Sequence, residues 1–351
     1  MNVALAFNVK KSKPSTDLKK QIDLEFDSWP VINSIKKVLK DLGHKVFLVE
    51  ADENAFVKLK KLRGKIDIVF NIAEGLWGDA RESQIPIFCE ILKIPYTHSS
   101  PTTHAIGLDK AFTELVLKSA GGIKVPDSHV VSTKDYEIPK RLKFPLIVKP
   151  NKEGSSKGVM DANVVNDISD LSERVKVVSE NFTKEVLVEE FIDGREFTVG
   201  VIGNDNPKIL PIIEQKFDFL PKGMNKIASF ELKWIYEDSL KNLSDAYDCP
   251  ARLTKKLKDL IVKTSVEIYR LLDVRDCARI DYRLDNKGRL YFIEINTLPG
   301  INPDESIISY FPLAARKAGM SYRDLIGTIL FLACRRYNLR YAKRRTFSDF
   351  D

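Results

Sequence analysis

The sequence predicts a parallel α/β unit followed by an α+β region. Three observations carry that prediction: strand and helix patterns alternate from Val3 to Tyr96, antiparallel strand patterns take over from about Val125, and a hairpin pattern closes the series between Asp276 and Asn296. At 351 residues the chain has room for two or three domains of roughly 100 to 200 residues.

Taken in order, Val3 to Phe7 reads as a buried strand. Trp29 to Leu42 reads as a helix with Val31, Ile32, Ile35, Val38, Leu39 and Leu42 on one face and Gly43 as its stop. Lys45 to Val49 is a second strand, and Ile66 to Ile72 a continuous apolar one ending in Ala73-Glu74-Gly75. A helix follows around Ser83 to Leu92, then a short strand into Tyr96. Pro101 opens a helix that carries Asp109 and Lys110 and stops at Gly121. Strands are predicted over Leu146 to Lys149, Glu185 to Phe191, Glu196 to Ile202 and Ile209 to Ile213, then an amphipathic helix over Arg252 to Leu272. Pro101 with Thr102 and Thr103 marks a boundary near residue 100, and 335–351 is a basic tail.

The formal net charge of +7 comes from 56 Lys and Arg against 49 Asp and Glu, and six basic and two acidic residues in 335–351 account for +4 of it. The nearly balanced body argues against nucleic acid or an anionic membrane as partner. Cys89, Cys249, Cys277 and Cys334 lie far apart, which points to free thiols in a reducing compartment and away from zinc. The first residues read as a strand and not as a signal peptide. No apolar stretch reaches the roughly 18 residues of a membrane span, so a cytoplasmic protein is expected. His44, His98, His104 and His129 form no metal or triad pattern.

Chemistry concentrates in three segments. Cys277 to Leu284 and Leu290 to Asn296 form a hairpin in which a two- or four-residue loop sets Arg279 opposite Glu294, with Asp281 diagonal to it. Arg279, Asp281, Glu294 and Asn296 then share one face. Two carboxylates and an amide oxygen suit a magnesium ion that also binds phosphate, and an adjacent Arg suits a developing anion; the alternative is a salt-bridge ladder. Lys149 to Gly158 is a strand end and a Gly-Ser loop able to approach phosphate oxygens, without the spacing of a P-loop. Val186 to Glu196 is an apolar strand with carboxylates, which can serve adenine and ribose or form a charged hairpin tip.

Together and in this order, these segments resemble the ATP-grasp superfamily, and specifically the D-alanine–D-alanine ligase family, from about Glu25 to Ile326. The resemblance rests on Lys149 with Glu153-Gly-Ser-Ser-Lys-Gly158, on Glu189 to Val199, on Arg279 to Asp285 and on Phe292 to Gly300. It implies a three-domain ATP-grasp architecture, with a parallel α/β substrate domain over 1–100, two α+β ATP-grasp subdomains over 101–192 and 193–334 and a tail over 335–351, and an ATP-dependent carboxylate–amine ligase acting through an acyl phosphate. Lys110 and Lys149 are then ligands of the ATP phosphates, closed over by the backbone of Gly154, Ser155, Ser156 and Gly158. Glu189, Glu190, Phe191 and Ile192 line the adenine site, Glu196 holds the ribose, and Lys233 reaches the γ-phosphate. Asp281, Glu294 and Asn296 hold two Mg²⁺ ions, for which Mn²⁺ can substitute. Arg279 and the Gly300 amide stabilise the oxyanion, with Ser155 and Lys233 beside them. Glu25 anchors the first amino acid's ammonium and Ser306 the second one's carboxylate. The resemblance also implies a homodimer and, with D-alanine as substrate, a place in cell-wall (peptidoglycan) synthesis.

The departures fall on the substrate side. Glu74 stands where the family has His, Arg81 where a small residue is usual, and Trp234 where Tyr or Phe is usual. They leave open a different amino acid or a small-molecule scaffold as substrate. A nucleotide-binding module without catalysis is a further alternative.

Overall fold

A computed structural model describes residues 1–13, 15–18, 23–132, 137–182 and 185–341. Residues 342–351 of the expected basic tail lie outside the described residues.

The first sheet is parallel, in the order β2-β1-β3, from β1 (Asn2–Phe7), β2 (Lys45–Glu50) and β3 (Ile68–Ile72). Val3, Ala4, Leu5 and Ala6 are fully buried because helices cover the sheet, as the unbroken apolar run requires. Helix α1 (Trp29–Asp41) buries Val31, Ile32, Ile35 and Leu39. Helices α2 (Ala55–Leu62) and α3 (Gln84–Leu92) complete the unit, and Tyr96 adds only an isolated bridge to Val69.

The single helix expected after Pro101 is two: α4 (Pro101–Leu108) and α5 (Lys110–Ala120). Asp109 has extended backbone between them, and its side chain accepts from the Phe112 N–H as the N-cap of α5. Lys110 therefore stands at the first turn of a new helix, facing the site described below.

The second sheet runs β4-β7-β5-β6, all antiparallel, from β4 (Ser128–Ser132), β5 (Leu146–Pro150), β6 (Val164–Val165) and β7 (Glu185–Glu190), with α6 (Ile168–Asn181) packed on it. The third sheet has six strands. Its path is β11-β10-β8-β12-β13, with β9 on β8, built from β8 (Gly194–Ile202), β9 (Lys208–Ile209), β10 (Ile213–Gln215), β11 (Tyr247–Asp248), β12 (Cys277–Asp285) and β13 (Leu290–Asn296). The strand expected over Ile209 to Ile213 is thus divided between β9 and β10; Pro211 lies in the gap, where it has no N–H for a ladder.

Helix α7 (Lys255–Leu271), capped by Thr254, buries Ile261, Ser265, Ile268 and Tyr269. Helices α8 (Tyr310–Lys317) and α9 (Tyr322–Arg336) follow. The tail's first residues, Arg335 and Arg336, belong to the last turn of α9, where Arg336 pairs with the fully buried Asp276 at 2.9 Å. Among the described residues no helix is long and apolar enough to cross a membrane, and all four cysteines are free.

Candidate active site

The hairpin of β12 and β13 brings Arg279, Asp281, Glu294 and Asn296 together, but by a different register from the expected one. Leu284 pairs with Leu290, so an odd number of residues separates the strands, and that phase alone would set Asp281 across from Ile293. A β-bulge between Asp281 and Tyr282 leaves Ile293 without a partner and shifts the pairing by one residue. Asp281 then faces Glu294 and Arg279 faces Asn296. The bulge is what places all four side chains on one face.

On that face Arg279 donates to Asp281 at 3.0 Å and lies 3.9 Å from Glu294. The Thr198 hydroxyl donates to Asp281 at 2.9 Å, and Lys110 from α5 reaches Glu294 at 3.4 Å. Burial alone would raise the Glu294 carboxyl, but Lys110, Lys233, Arg279 and Lys149 hold it down at about 2, so it is ionised at neutral pH. Two carboxylates and the Asn296 amide form a hard-oxygen donor set that fits Mg²⁺ shared with phosphate oxygens.

A cleft between the second and third sheets gathers Lys110, Lys149, Ser156, Glu189, Glu190, Phe191, Ile192, Glu196, Lys233, Arg279, Asp281 and Glu294. Lys149, near the end of β5, is ion-paired with Glu189 on the neighbouring β7. Burial would strip its proton, but Glu189 and Glu114 keep the ammonium charged. The Gly154 to Gly158 segment turns back on itself through left-handed backbone at Ser155, Ser156 and Gly158, with φ of 51°, 58° and 74°. A Cβ at Gly158 would come within 2.7 Å of both Pro150 and Phe182, so only glycine fits. Ser156 donates to the Ala228 carbonyl, and the Trp234 indole to the Ser155 carbonyl at 3.5 Å. The second bond ties the loop to the π-turn at Leu232–Tyr236 that carries Lys233, and the first ties it to the segment just before that turn.

A second cavity, of about 420 Å³, is bordered by Glu25, Glu74, Ser155, Lys233, Trp234, Arg279, Asn296, Gly300 and Ser306. Lys233, Arg279 and Tyr310 border both spaces, so the two meet there. Arg81 does not border either. It bridges instead, donating to Glu25 at 2.8 Å, to Glu153 at 3.0 Å and to the Lys152 carbonyl at 2.7 Å. The other Glu25 oxygen accepts from the Gly154 N–H at 2.8 Å. Ser306 is turned toward Asp304, to which its N–H and hydroxyl both donate.

Several residues of the site are absent from the sequence-based set. Arg283 pairs with Glu196 at 2.6 Å and donates to the carbonyls of Ile192, Gly194 and Lys226. Strand parity was the signal that could have found it, since Arg279, Asp281 and Arg283 alternate on one face. Tyr310 donates to Glu237 at 3.0 Å. Asp27 and Glu237 both border the second cavity, and burial raises each to about 7. No short-range pattern marks these.

A family model described as D-ala D-ala ligase C-terminus matches residues 118–331. A D-alanine–D-alanine ligase of Aquifex aeolicus is 33% identical over 298 residues, covering 85% of this chain and 92% of its own. An uncharacterised protein of Sinorhizobium fredii is 33% identical over 318 residues, covering 88% and 90%. Among solved structures, a D-alanine–D-alanine ligase from Bacillus anthracis complexed with ATP matches with a TM-score of 0.73 at 23% identity, covering 96% and 99%, a likeness of fold.

Proposed function

The chain belongs to the D-alanine–D-alanine ligase family, with an ATP-grasp fold and an ATP-dependent C–N ligase activity, and on that premise we propose that it joins two amino acids through an acyl phosphate, with D-alanine as the reference substrate at both positions. The observation that carries this reading is the meeting of the two cavities at Lys233, Arg279 and Tyr310. A phosphate group handed from one space to a carboxylate in the other passes between those residues.

Under this reading Lys110, Lys149 and the Gly154 to Gly158 backbone take the triphosphate. Glu189, Glu190, Phe191 and Ile192 take adenine, and Glu196, oriented by Arg283, takes the ribose. Asp281, Glu294 and Asn296 hold magnesium, which when bound neutralises charge on the transferring phosphate. The first amino acid's carboxylate oxygen attacks the γ-phosphorus as the bond to the β-phosphate oxygen breaks, giving ADP and an acyl phosphate. Lys233 and Arg279 help chiefly by position and charge. The second amino acid's amine then attacks the acyl carbon. Arg279 and the Gly300 N–H face the oxyanion, phosphate leaves with the C–O electron pair, and the amine gives up a proton to form the amide.

The Glu74 and Arg81 departures favour a second reading, with the same chemistry on a different amino acid or acceptor. Phosphate release from Mg-ATP with D-alanine alone, then with other amino acids singly and in pairs, followed by mass spectrometry of the products, separates the two. D-alanyl-D-alanine as product supports the first reading and a place in cell-wall precursor synthesis. Turnover only with another pair supports the second, and nucleotide binding without amino-acid-dependent turnover overturns both.

A further inference from the structure

We infer that Glu74 receives the ammonium group of the amino acid whose carboxylate is activated, while Glu25 is committed with Arg81 to holding the Gly154 loop. The inference rests on the ligase reading above, because it presumes an amino acid in the second cavity.

The argument is one of charge matching at the cavity wall. Glu25 has the right charge for an ammonium, but both of its oxygens are engaged: Oε1 by the Gly154 N–H and Oε2 by Arg81, each at 2.8 Å. The Gly154 contact is close enough that a Cβ there would lie 2.4 Å from Oε1. The pair is also shielded, with the side chains of Arg81 and Glu25 only 9% and 6% exposed. An ammonium brought to Glu25 meets a charge already neutralised, with a guanidinium beside it to repel the newcomer. Arg81 is held in turn by Glu153 and by the Lys152 carbonyl. The Arg81–Glu25 unit is therefore a latch across which the parallel unit grips the phosphate-binding loop.

Glu74 borders the same cavity and has no hydrogen-bond or ion-pair partner among the described residues. Its position is fixed by the backbone. It follows β3 and precedes Gly75, whose N–H donates to Asn8 Oδ1 at 2.9 Å and whose φ is 80°; a Cβ at Gly75 would lie 2.1 Å from the Arg81 carbonyl oxygen. The turn that positions Arg81 for the latch therefore also holds Glu74 at the cavity wall. Burial first, then the neighbouring Glu82 and Glu25, push the Glu74 carboxyl well above its ordinary range, against a smaller opposing pull from Arg81. A ligand ammonium supplies the missing counter-charge. Of the other carboxylates on the cavity, Asp27 has Lys10 acting on it and Glu237 accepts from Tyr310. Arg81 attracts Glu74 but forms no ion pair with it, its hydrogen bonds going to Glu25, Glu153 and the Lys152 carbonyl, so the Glu74 carboxyl is left without a bonded cation.

The test is steady-state phosphate release by the full chain with Mg-ATP and D-alanine, or the amino acid that a screen shows to be turned over, with KM for amino acid and for ATP measured separately. Glu74→Gln should raise the KM of the first-bound amino acid by about 10- to 100-fold, the loss of one charge-assisted hydrogen bond, with the KM for ATP within about 2-fold of wild type. Glu74→Asp keeps the charge and should recover part of the loss, which guards against a folding defect in the Gln variant. Glu25→Gln and Arg81→Ala should do the reverse, raising the KM for ATP with a smaller effect on the amino acid. Propionate, the deaminated analogue of alanine, should inhibit wild type and Glu74→Gln equally. An unchanged amino-acid KM in Glu74→Gln together with a raised one in Glu25→Gln overturns the assignment while leaving the ligase reading intact. ATP turnover that depends on no amino acid overturns the ligase reading and this inference with it.

Discussion

Arg283 offers the sharpest test of how the cleft between the second and third sheets is built. Its side chain is 6% exposed and that of Glu196 is 12% exposed, with 2.6 Å between them. Three backbone carbonyls and the Phe191 ring, 5.1 Å from the guanidinium carbon, complete its surroundings. Arg283→Met keeps much of the volume and removes the charge. Breaking a buried pair strands the remaining charge, at a cost of about 3 to 5 kcal/mol. Glu196 has one escape, because burial already raises its carboxyl above the ordinary range and a proton can replace the lost guanidinium. The carbonyls of Ile192, Gly194 and Lys226 lose a donor with no such escape. The expected destabilisation is therefore about 3 kcal/mol at neutral pH, shrinking as the pH falls toward 5. Adding Glu196→Gln removes the stranded charge and should restore about half of the stability, but not nucleotide binding, since Glu196 is the proposed ribose ligand. Urea unfolding measures the first quantity and ADP titration the second, with hydrogen exchange across β8 and β12 as the readout if unfolding is not two-state. The reasoning is refuted if Arg283→Met unfolds within about 1 kcal/mol of wild type, or if the double variant is no more stable than the single one.

Other substitutions probe the remaining parts. A methyl group at Gly154 meets Glu25 Oε1 at 2.4 Å, so Gly154→Ala should raise the KM for ATP about 10-fold; combined with Glu25→Ala it should be no worse than Glu25→Ala alone, which steady-state kinetics would reveal. At Gly194, φ is 144° and a Cβ would lie 2.0 Å from the Leu284 carbonyl oxygen, so Gly194→Ala pits backbone against backbone and should cost about 3 kcal/mol or more in urea unfolding. Asp281→Asn and Glu294→Gln should each lower amino-acid-dependent phosphate release by more than about 100-fold and weaken Mn²⁺ binding in the presence of ADP, read by electron paramagnetic resonance. Asp27 and Glu237, each raised to about 7 by burial, bind protons on folding. Their contribution to stability should fall as pH rises from about 4 to 7, and Asp27→Asn should flatten that slope in unfolding midpoints measured between pH 5 and 8.

What the sequence disclosed was local. The apolar runs of β1 and β3, the stripe of α1 and the alternation along β12 each depend on neighbours a few residues away, and each forms where its pattern lies. The division of the helix after Pro101 had a cue in Asp109, a residue that caps more readily than it continues a helix. Pro211 gave a similar cue for the split between β9 and β10. The hairpin register had none. Face assignment depends on whether an odd or even number of residues separates the strands and on one bulge, and nothing about Ile293 distinguishes it from its neighbours as the residue left without a partner. Glu25, Arg81 and Gly154 come together across 56 and 129 positions of chain, a contact that no periodicity encodes. Parity along β12 did hold the clue to Arg283, whose role became plain only once Glu196 was seen opposite it.

The cations of the cleft between the second and third sheets explain why so many carboxylates line a site proposed to bind an anion. Lys149 sits with Glu189, Lys110 with Glu294, Arg279 with Asp281 and Arg283 with Glu196. A buried cation without a partner would be costly, and a lysine in that position would lose its proton. Internal pairing keeps Lys149 charged and holds all four cations in place before any ligand arrives. Two of the four acids, Asp281 and Glu294, are also the proposed magnesium ligands. Under that reading they are released to the metal when a triphosphate takes over their cations, and the cleft stays near neutrality through the exchange. Glu189 and Glu196 are not metal ligands in this scheme. Their pairs with Lys149 and Arg283 hold the walls of the cleft in position while those of Asp281 and Glu294 change partners.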